Sequence, residues 1–230
     1  MPTPPPQTLA EALHQATAKR HRLRSRRPPR PRAKARQPYD IDSLTDIAVR
    51  VFNEHGYDGT SMEQIAHAAG ITKSSLYHHV TSKEEFLARA LDRAFSALFA
   101  VLDEPGATEG RAADRLRYIL RRAVETEIQF LPEVSLLLRV RGNTQTERGA
   151  LERRREFDAF ITTLVRQAVK AGEVRADIDP ALLSRLLFGM AHWLTDWYRP
   201  EGPLGAAEIV DAILKLAFEG IRRPPDQPPG

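Results

Sequence analysis

From residue 39 onward, apolar side chains recur at three- and four-residue spacing, the period of a helix with one wet and one dry face. Ile41, Leu44, Ile47, Ala48, Val51 and Phe52 share one face of a helix expected over 41–55, closed by Gly56. Asp42 and Asp46 lie near its N-terminal end, where anions are favoured. The same period predicts two short helices within 60–80. Longer ones follow over about 82–102, 111–130, 132–140, 145–171, 180–198 and 205–221. A Gly-rich break at 105–110, a loop at Arg141, Gly142 and Asn143, a turn at Ala171 and Gly172, and the stretch 200–205 separate them. Pro105, Pro132, Pro180, Pro200 and Pro203 each fall where an apolar pattern starts or stops, as helix punctuation should. No run alternates β-branched and polar residues, so no strand is expected. The expectation is an all-α chain of about nine helices.

Composition narrows the class. The 230 residues suffice for a real core, and 42% hydrophobic with 28% charged is ordinary for a soluble globular protein. The absence of cysteine excludes a disulfide scaffold, a Cys-based zinc site, an iron–sulfur cluster and a thiol nucleophile. No apolar run reaches the ~20 residues of a membrane span. With no apolar leader at the N-terminus, a cytoplasmic location without membrane contact is expected. The net charge of +4 conceals an asymmetry: residues 1–37 hold ten Lys/Arg and one acid, whereas 38–230 are net −5. Eight of 17 prolines lie within 1–38 and four within 224–229. Segments 1–37 and 224–230 are therefore expected to be a disordered basic arm and a disordered tail. Ten cations on such an arm suit salt-dependent contact with a polyanion such as nucleic acid, unless it is simply a solvated extension.

Residues 60–80 read TSMEQIAHAAGITKSSLYHHV. Thr60 with Glu63, or Ser61 with Gln64, makes a capping box opening a short helix whose inner face is Met62, Ile65, Ala66 and Ala69. Ala66 is small where a second helix must approach, Gly70 makes a sharp turn, and Ile71 is expected to be buried there. Thr72 caps a second helix whose Leu76 and Val80 face inward. This is the spacing of a helix-turn-helix, whose second helix enters the DNA major groove. The outward face of that helix, Lys73, Ser74, Ser75, Tyr77, His78 and His79, holds donors and a cation but no acid. Region 38–85 as a whole is net −5, so the acids are kept off this one face. Thr60, Ser61, Thr72 and Lys83 are expected beside it as backbone contacts, with Thr60 and Lys83 on phosphates. Metal binding by His78 and His79 is disfavoured, because adjacent helical residues point about 100° apart.

Ala48, Phe52, Gly56, Tyr57, Thr60, Ile65, Ala66, Ala69, Gly70, Thr72, Leu76, Tyr77, His79 and the run from Ser82 to Glu85 closely resemble the TetR family of transcriptional regulators. The resemblance is specific over about 39–90 and extends in length and helix order to the C-terminus. It implies a three-helix DNA-binding head over 38–85 and a ligand-binding and dimerising domain over 86–223. It also implies repression of an operator, relieved by a small molecule, with no cofactor. Val80 departs from the family, which most often has Phe there.

Near the end, Leu182, Leu183, Leu186, Leu187, Phe188, Met190, Ala191, Trp193 and Leu194, then Ile209, Val210, Ile213, Leu214, Leu216, Ala217, Phe218 and Ile221, make two helices apolar nearly all round. Such helices must be buried on several sides, which suggests a subunit interface, and the family uses its last two helices for a homodimer. Both tryptophans, Trp193 and Trp197, are four apart and share a face. With Phe188, His192, Tyr198 and Arg199 they form a candidate pocket for a bulky apolar ligand with an anionic end. The stretch from Trp193 to Glu208 resembles family members that answer acyl-CoA thioesters in fatty-acid or aromatic-acid metabolism. Arg139 and Arg141, ahead of a loop expected to be mobile, are candidates for CoA phosphates. The same aromatics read equally as interface or core packing.

Catalysis is not expected: there is no P-loop, GxGxxG, HExxH or GxSxG. The open alternatives are a DNA-tethered helical adaptor for a different apolar ligand or a protein partner, and a nucleoid-type binder driven by the arm.

Overall fold

The computed structural model describes residues 40–220, so the expected arm 1–37 and tail 224–230 lie outside the described residues. The described residues are all-α. Helix α1 is Ile41–His55, α2 Met62–Ala68, α3 Lys73–Tyr77 and α4 Lys83–Ala100. A 3-10 turn, Val101–Asp103, leads to α5 (Pro105–Thr108), α6 (Ala112–Gln129), α7 (Leu131–Leu137) and α8 (Gln145–Lys170). Helix α9 is Pro180–His192, α10 Leu194–Trp197 and α11 Ala206–Glu219. No helix among them is long and apolar enough to cross a membrane.

Two departures raise the number of helices above the expected nine. The break at 105–110 is a helix in its first half: Pro105 occupies the first helical position, where its fixed φ suits a start and no N–H is missed. Gly106 is there for closeness, since a Cβ would lie 2.6 Å from the Tyr118 ring. The second departure is at Trp193, where the expected helix 180–198 slips. Asp196 N–H donates to Trp193 O three residues back, and the Thr195 hydroxyl takes His192 O. The backbone stays right-handed at Trp193, so the axis continues with its ladder shifted.

The head is α1–α3 on the start of α4. Leu44, Ala48, Phe52, Ile65, Ala66, Leu76, Val80 and Phe86 are buried in its core. The body gathers α4–α11 around Leu120 and Val124 of α6, Ile161 and Val165 of α8, Phe188 and Ala191 of α9, and Val210 and Leu214 of α11. Helix α4 runs unbroken through both. Asp42 and Asp46 of α1 do more than sit near a helix start: they clamp Arg93 of α4 at 2.7 and 2.6 Å.

Candidate nucleic-acid interface and effector cavity

Helix α2 opens on the Ser61–Gln64 pair, the second of the two expected capping boxes. Ser61 Oγ accepts from Gln64 N–H, and Gln64 Oε1 accepts from Ser61 N–H at 2.7 Å. It ends in a Schellman turn: Ile71 N–H reaches Ala66 O at 3.0 Å and Gly70 N–H reaches His67 O at 2.9 Å, with Gly70 at φ +64. That turn sends the chain back against buried Ala66 and starts α3, where Thr72 Oγ1 accepts from Ser75 N–H. Ile71 is half-buried.

The expected DNA-facing side chains divide in two. Lys73, Ser74, Tyr77, His78 and His79 are exposed on one surface, Ser75 is half-buried beside them, and Ser61 and Thr72 lie exposed at the helix starts. Tyr77 shows 48% of its surface. Helix α3 itself is shorter than expected, since His78 and His79 lie in the turn after Tyr77.

Thr60 and Lys83, expected on phosphates, are engaged inside the head. Thr60 is 3% exposed and its hydroxyl donates to Gly56 O. Lys83 Nζ donates to three carbonyls, Tyr57 O at 2.8, Asp58 O at 3.1 and Thr60 O at 3.0 Å, and lies 4.6 Å from the Tyr57 ring centre. An ammonium has three protons, and all three are spent on the turn between α1 and α2. Burial pushes the Tyr57 hydroxyl up to about 12, and the carboxylates of Glu84, Glu147 and Asp58 add to it.

The candidate ligand residues do not form one cluster. Phe188 and His192 line an internal cavity of about 40 Å³, walled by Phe95 and Leu98 of α4, Leu137 of α7, Leu138 just after it, Arg154 and Phe157 of α8, and Glu127 of α6. Trp193 and Trp197 face outward, 66% and 40% exposed, with rings 6.1 Å apart. Tyr198 is buried in the core and Arg199 is exposed, its guanidinium donating to Tyr198 O. Phe188 and His192 share the inner face of α9, whereas Trp193 falls on its exposed face with Leu182, Leu186 and Gly189 and Trp197 lies exposed one turn on, so the two tryptophans look away from the cavity. Arg139 is exposed, donating to Asn53 O, and lines an outer groove of about 370 Å³ with Trp193; Leu138 and His192 line both this groove and the cavity. Arg141 is exposed, and its loop is held rather than loose: the buried Glu147 carboxylate accepts from the N–H groups of Arg141, Gly142 and Asn143 at 3.1, 2.7 and 2.8 Å. A wider groove of about 650 Å³ between α4 and α8 is lined by Arg89, Asp92, Glu152, Arg153 and Glu156 together with Leu91, Phe95 and Ala150.

Sequence reading missed Glu127. It continues the buried face made by Leu116, Leu120, Ala123 and Val124, and an acid on an apolar stripe was the available signal. Its Oε1 lies 2.7 Å from His192 Nδ1.

Residues 44–90 match the profile "Bacterial regulatory proteins, tetR family", and 109–221 match "Tetracyclin repressor-like, C-terminal domain". The HTH-type transcriptional repressor KstR2 of Rhodococcus jostii is 30% identical over 184 residues, 79% of this chain and 90% of that protein. A solved TetR-family regulator from Streptomyces coelicolor A3 is 52% identical with a TM-score of 0.76, covering 83% of this chain and 94% of that one. AibR, solved in complex with isovaleryl coenzyme A and operator DNA, is 26% identical with a TM-score of 0.67, over 77% of this chain and 97% of that one.

Proposed function

The chain belongs to the TetR family of bacterial DNA-binding transcriptional regulators, not to an enzyme family, and from that premise we propose that it represses transcription as a homodimer on a palindromic operator and is released by an acyl-CoA-type small molecule. The observation that carries the DNA reading is the exposed, acid-free surface of Lys73, Ser74, Ser75, Tyr77, His78 and His79. In this reading residues 38–85 bind DNA, with Ser61 and Thr72 at the helix starts contacting backbone, and 86–223 bind the effector and the second subunit.

Dimerisation is supported by a stripe on α9 in which Leu182, Leu186, Gly189 and Trp193, spaced for one helical face, are all exposed. Leu216 of α11 and Trp197 are exposed as well. Isolated exposed leucines are ordinary, but an apolar stripe along one face of a helix marks an interface. Two subunits would place two α3 helices on half-sites one helical turn apart.

The effector class is supported by AibR as a relative, solved bound to isovaleryl coenzyme A. It is supported independently by a cavity lined mainly by apolar side chains that shares Leu138 and His192 with an outer groove carrying Arg139 and Trp193. An acyl group suits the first and a charged, aromatic nucleotide the second. At about 40 Å³ the cavity is far below the roughly 300–1,000 Å³ of an occupied ligand site, so binding must widen it. Ligand entry and a change of shape are then one event, as release requires.

The test is fluorescence anisotropy on DNA from the region upstream of the chain's own gene, with and without short- and medium-chain acyl-CoA. Tyr77→Ala and His78→Ala should each cost about 1–3 kcal/mol of operator affinity. Thioester should release the wild-type complex. Unchanged operator affinity in both variants would sink the DNA assignment, and indifference to every thioester would sink the effector class.

A further inference from the structure

The cavity holds one polar group that the fold leaves unsatisfied. Glu127 is 5% exposed, it lines the cavity, and its two carboxylate oxygens have different surroundings. Oε1 meets His192 Nδ1, whereas Oε2 is buried and has no hydrogen-bond partner among the described residues. An ionised carboxylate only accepts, with about four lone-pair directions, and a buried acceptor left unmet costs as much as a lost hydrogen bond. The other two buried carboxylates among the described residues each have a partner, by hydrogen bond or by opposite charge. Glu147 collects three N–H groups of a loop, and Glu133 has the Arg93 guanidinium as a countercharge at 4.0 Å, beyond hydrogen-bond reach. Glu127 is the exception in its unmet Oε2, and it lines a space whose apolar walls are Phe95, Leu98, Leu137, Phe157 and Phe188, with Thr126, Arg154 and Asp158 also on its lining.

The geometry points to an effector that carries a hydrogen-bond donor, a hydroxyl, on the apolar portion that enters this cavity, with Glu127 Oε2 as the acceptor that reads it and His192 holding the carboxylate in place. This rests on the reading of the cavity as the effector site. A site built to bond a hydroxyl rejects the analogue lacking it more strongly than an apolar pocket rejects an extra methylene, because the unmet group stays buried. The acid therefore sets specificity, while the aromatic walls supply most of the binding.

Isothermal titration of full-length protein with ω-hydroxyhexanoyl-CoA, hexanoyl-CoA and the ω-methoxy analogue tests this directly. Wild-type protein should prefer the hydroxyl thioester over both others by about tenfold or more, the scale of a hydrogen bond to a charged acceptor. Glu127→Leu should abolish the preference and tighten hexanoyl-CoA, and Glu127→Gln should reduce it. Both variants should keep wild-type affinity for operator DNA, which shows that they fold. A second pair without coenzyme A, octanol and heptyl methyl ether, is read by thermal shift. If thioesters fail to bind but octanol is preferred over the ether in a Glu127-dependent way, the donor assignment stands and the thioester class falls. If the three thioesters bind wild-type protein equally, or the preference survives Glu127→Leu, the donor assignment is overturned while the effector site stands. If neither series binds, both fall.

Discussion

Lys83 shows how one residue changes role when its surroundings are known. A lysine next to an acid-free recognition surface reads as a phosphate contact, yet its three protons close the turn that carries Tyr57, Asp58 and Thr60 onto the start of α4. Lys83→Ala should therefore lower the melting temperature, because three carbonyls lose a charged donor, each worth about 1.5–3 kcal/mol at most. The slope of log operator affinity against log salt should not change, since that slope counts phosphates neutralised. A slope shallower by about one, with melting unaltered, would return Lys83 to the DNA. The exposed set from Lys73 to His79 was legible because solvent exposure on a short helix follows from period and polarity. The roles of Thr60 and Lys83 were not, because they depend on where backbone carbonyls from a distant turn come to lie.

At the scale of elements, most of the helical pattern was readable, and the failures have local causes. Boundaries at Asp40, Ser61, Thr72, Ser82 and Thr144 follow from side chains that accept the first free N–H groups. The helix at Pro105–Thr108 was hidden because glycine signals looseness, while Gly106 is required by the Tyr118 ring against it. The split of the ligand cluster follows from helical position: Phe188 and His192 are four apart on one face, and Trp193 is about 100° round from His192 on the face of Leu186 and Gly189. Element ends also carry a pH dependence. Glu84 of α4 accepts from Thr146 N–H of α8, and that bond holds its carboxyl below the ordinary 4.5. The Thr81 N–H, with Arg89 next, does the same for Glu85, and Arg122 with Tyr118 for Glu104. A carboxyl lowered in the folded state contributes stability that is present above its unfolded value and is lost as pH falls toward the folded one. Melting temperature should accordingly drop as pH falls below about 4.5. Glu84→Gln should lower it at neutral pH and make the fall on acidification smaller. An acid limb identical to wild type would exclude Glu84 as a contributor.

For the whole molecule the question is how a body that binds an effector alters a head that binds DNA. Helix α4 runs through both head and body, and it walls the cavity through Phe95 and Leu98. Rings pack in sequence from it, Phe95 to Phe99, Phe99 to Phe157 and Phe157 to Phe188, at 6.1, 6.1 and 5.4 Å. Helix α7 has a second claim. Val134 and Leu137 line the cavity, and from the same short helix Pro132 O accepts from the Asn53 side chain of α1 at 2.9 Å. Arg139, just beyond, donates to Asn53 O. A ligand that widens the cavity must push on α7, and α7 is tied to the helix that carries the head. This is a route defined by contacts, and only a coupling measurement gives it weight. Asn53→Ala removes the side-chain tie while leaving the cavity and α3 untouched. Operator affinity without ligand and thioester affinity without DNA should both stay within a few-fold of wild type. The factor by which each weakens the other, expected at about 5–150-fold in wild type, should shrink, and by reciprocity it should shrink equally in both directions. Titrating thioester into free protein and into the DNA complex yields that factor. An unchanged factor would place the coupling in α4 and its aromatic row, where Phe99→Leu should then reduce it.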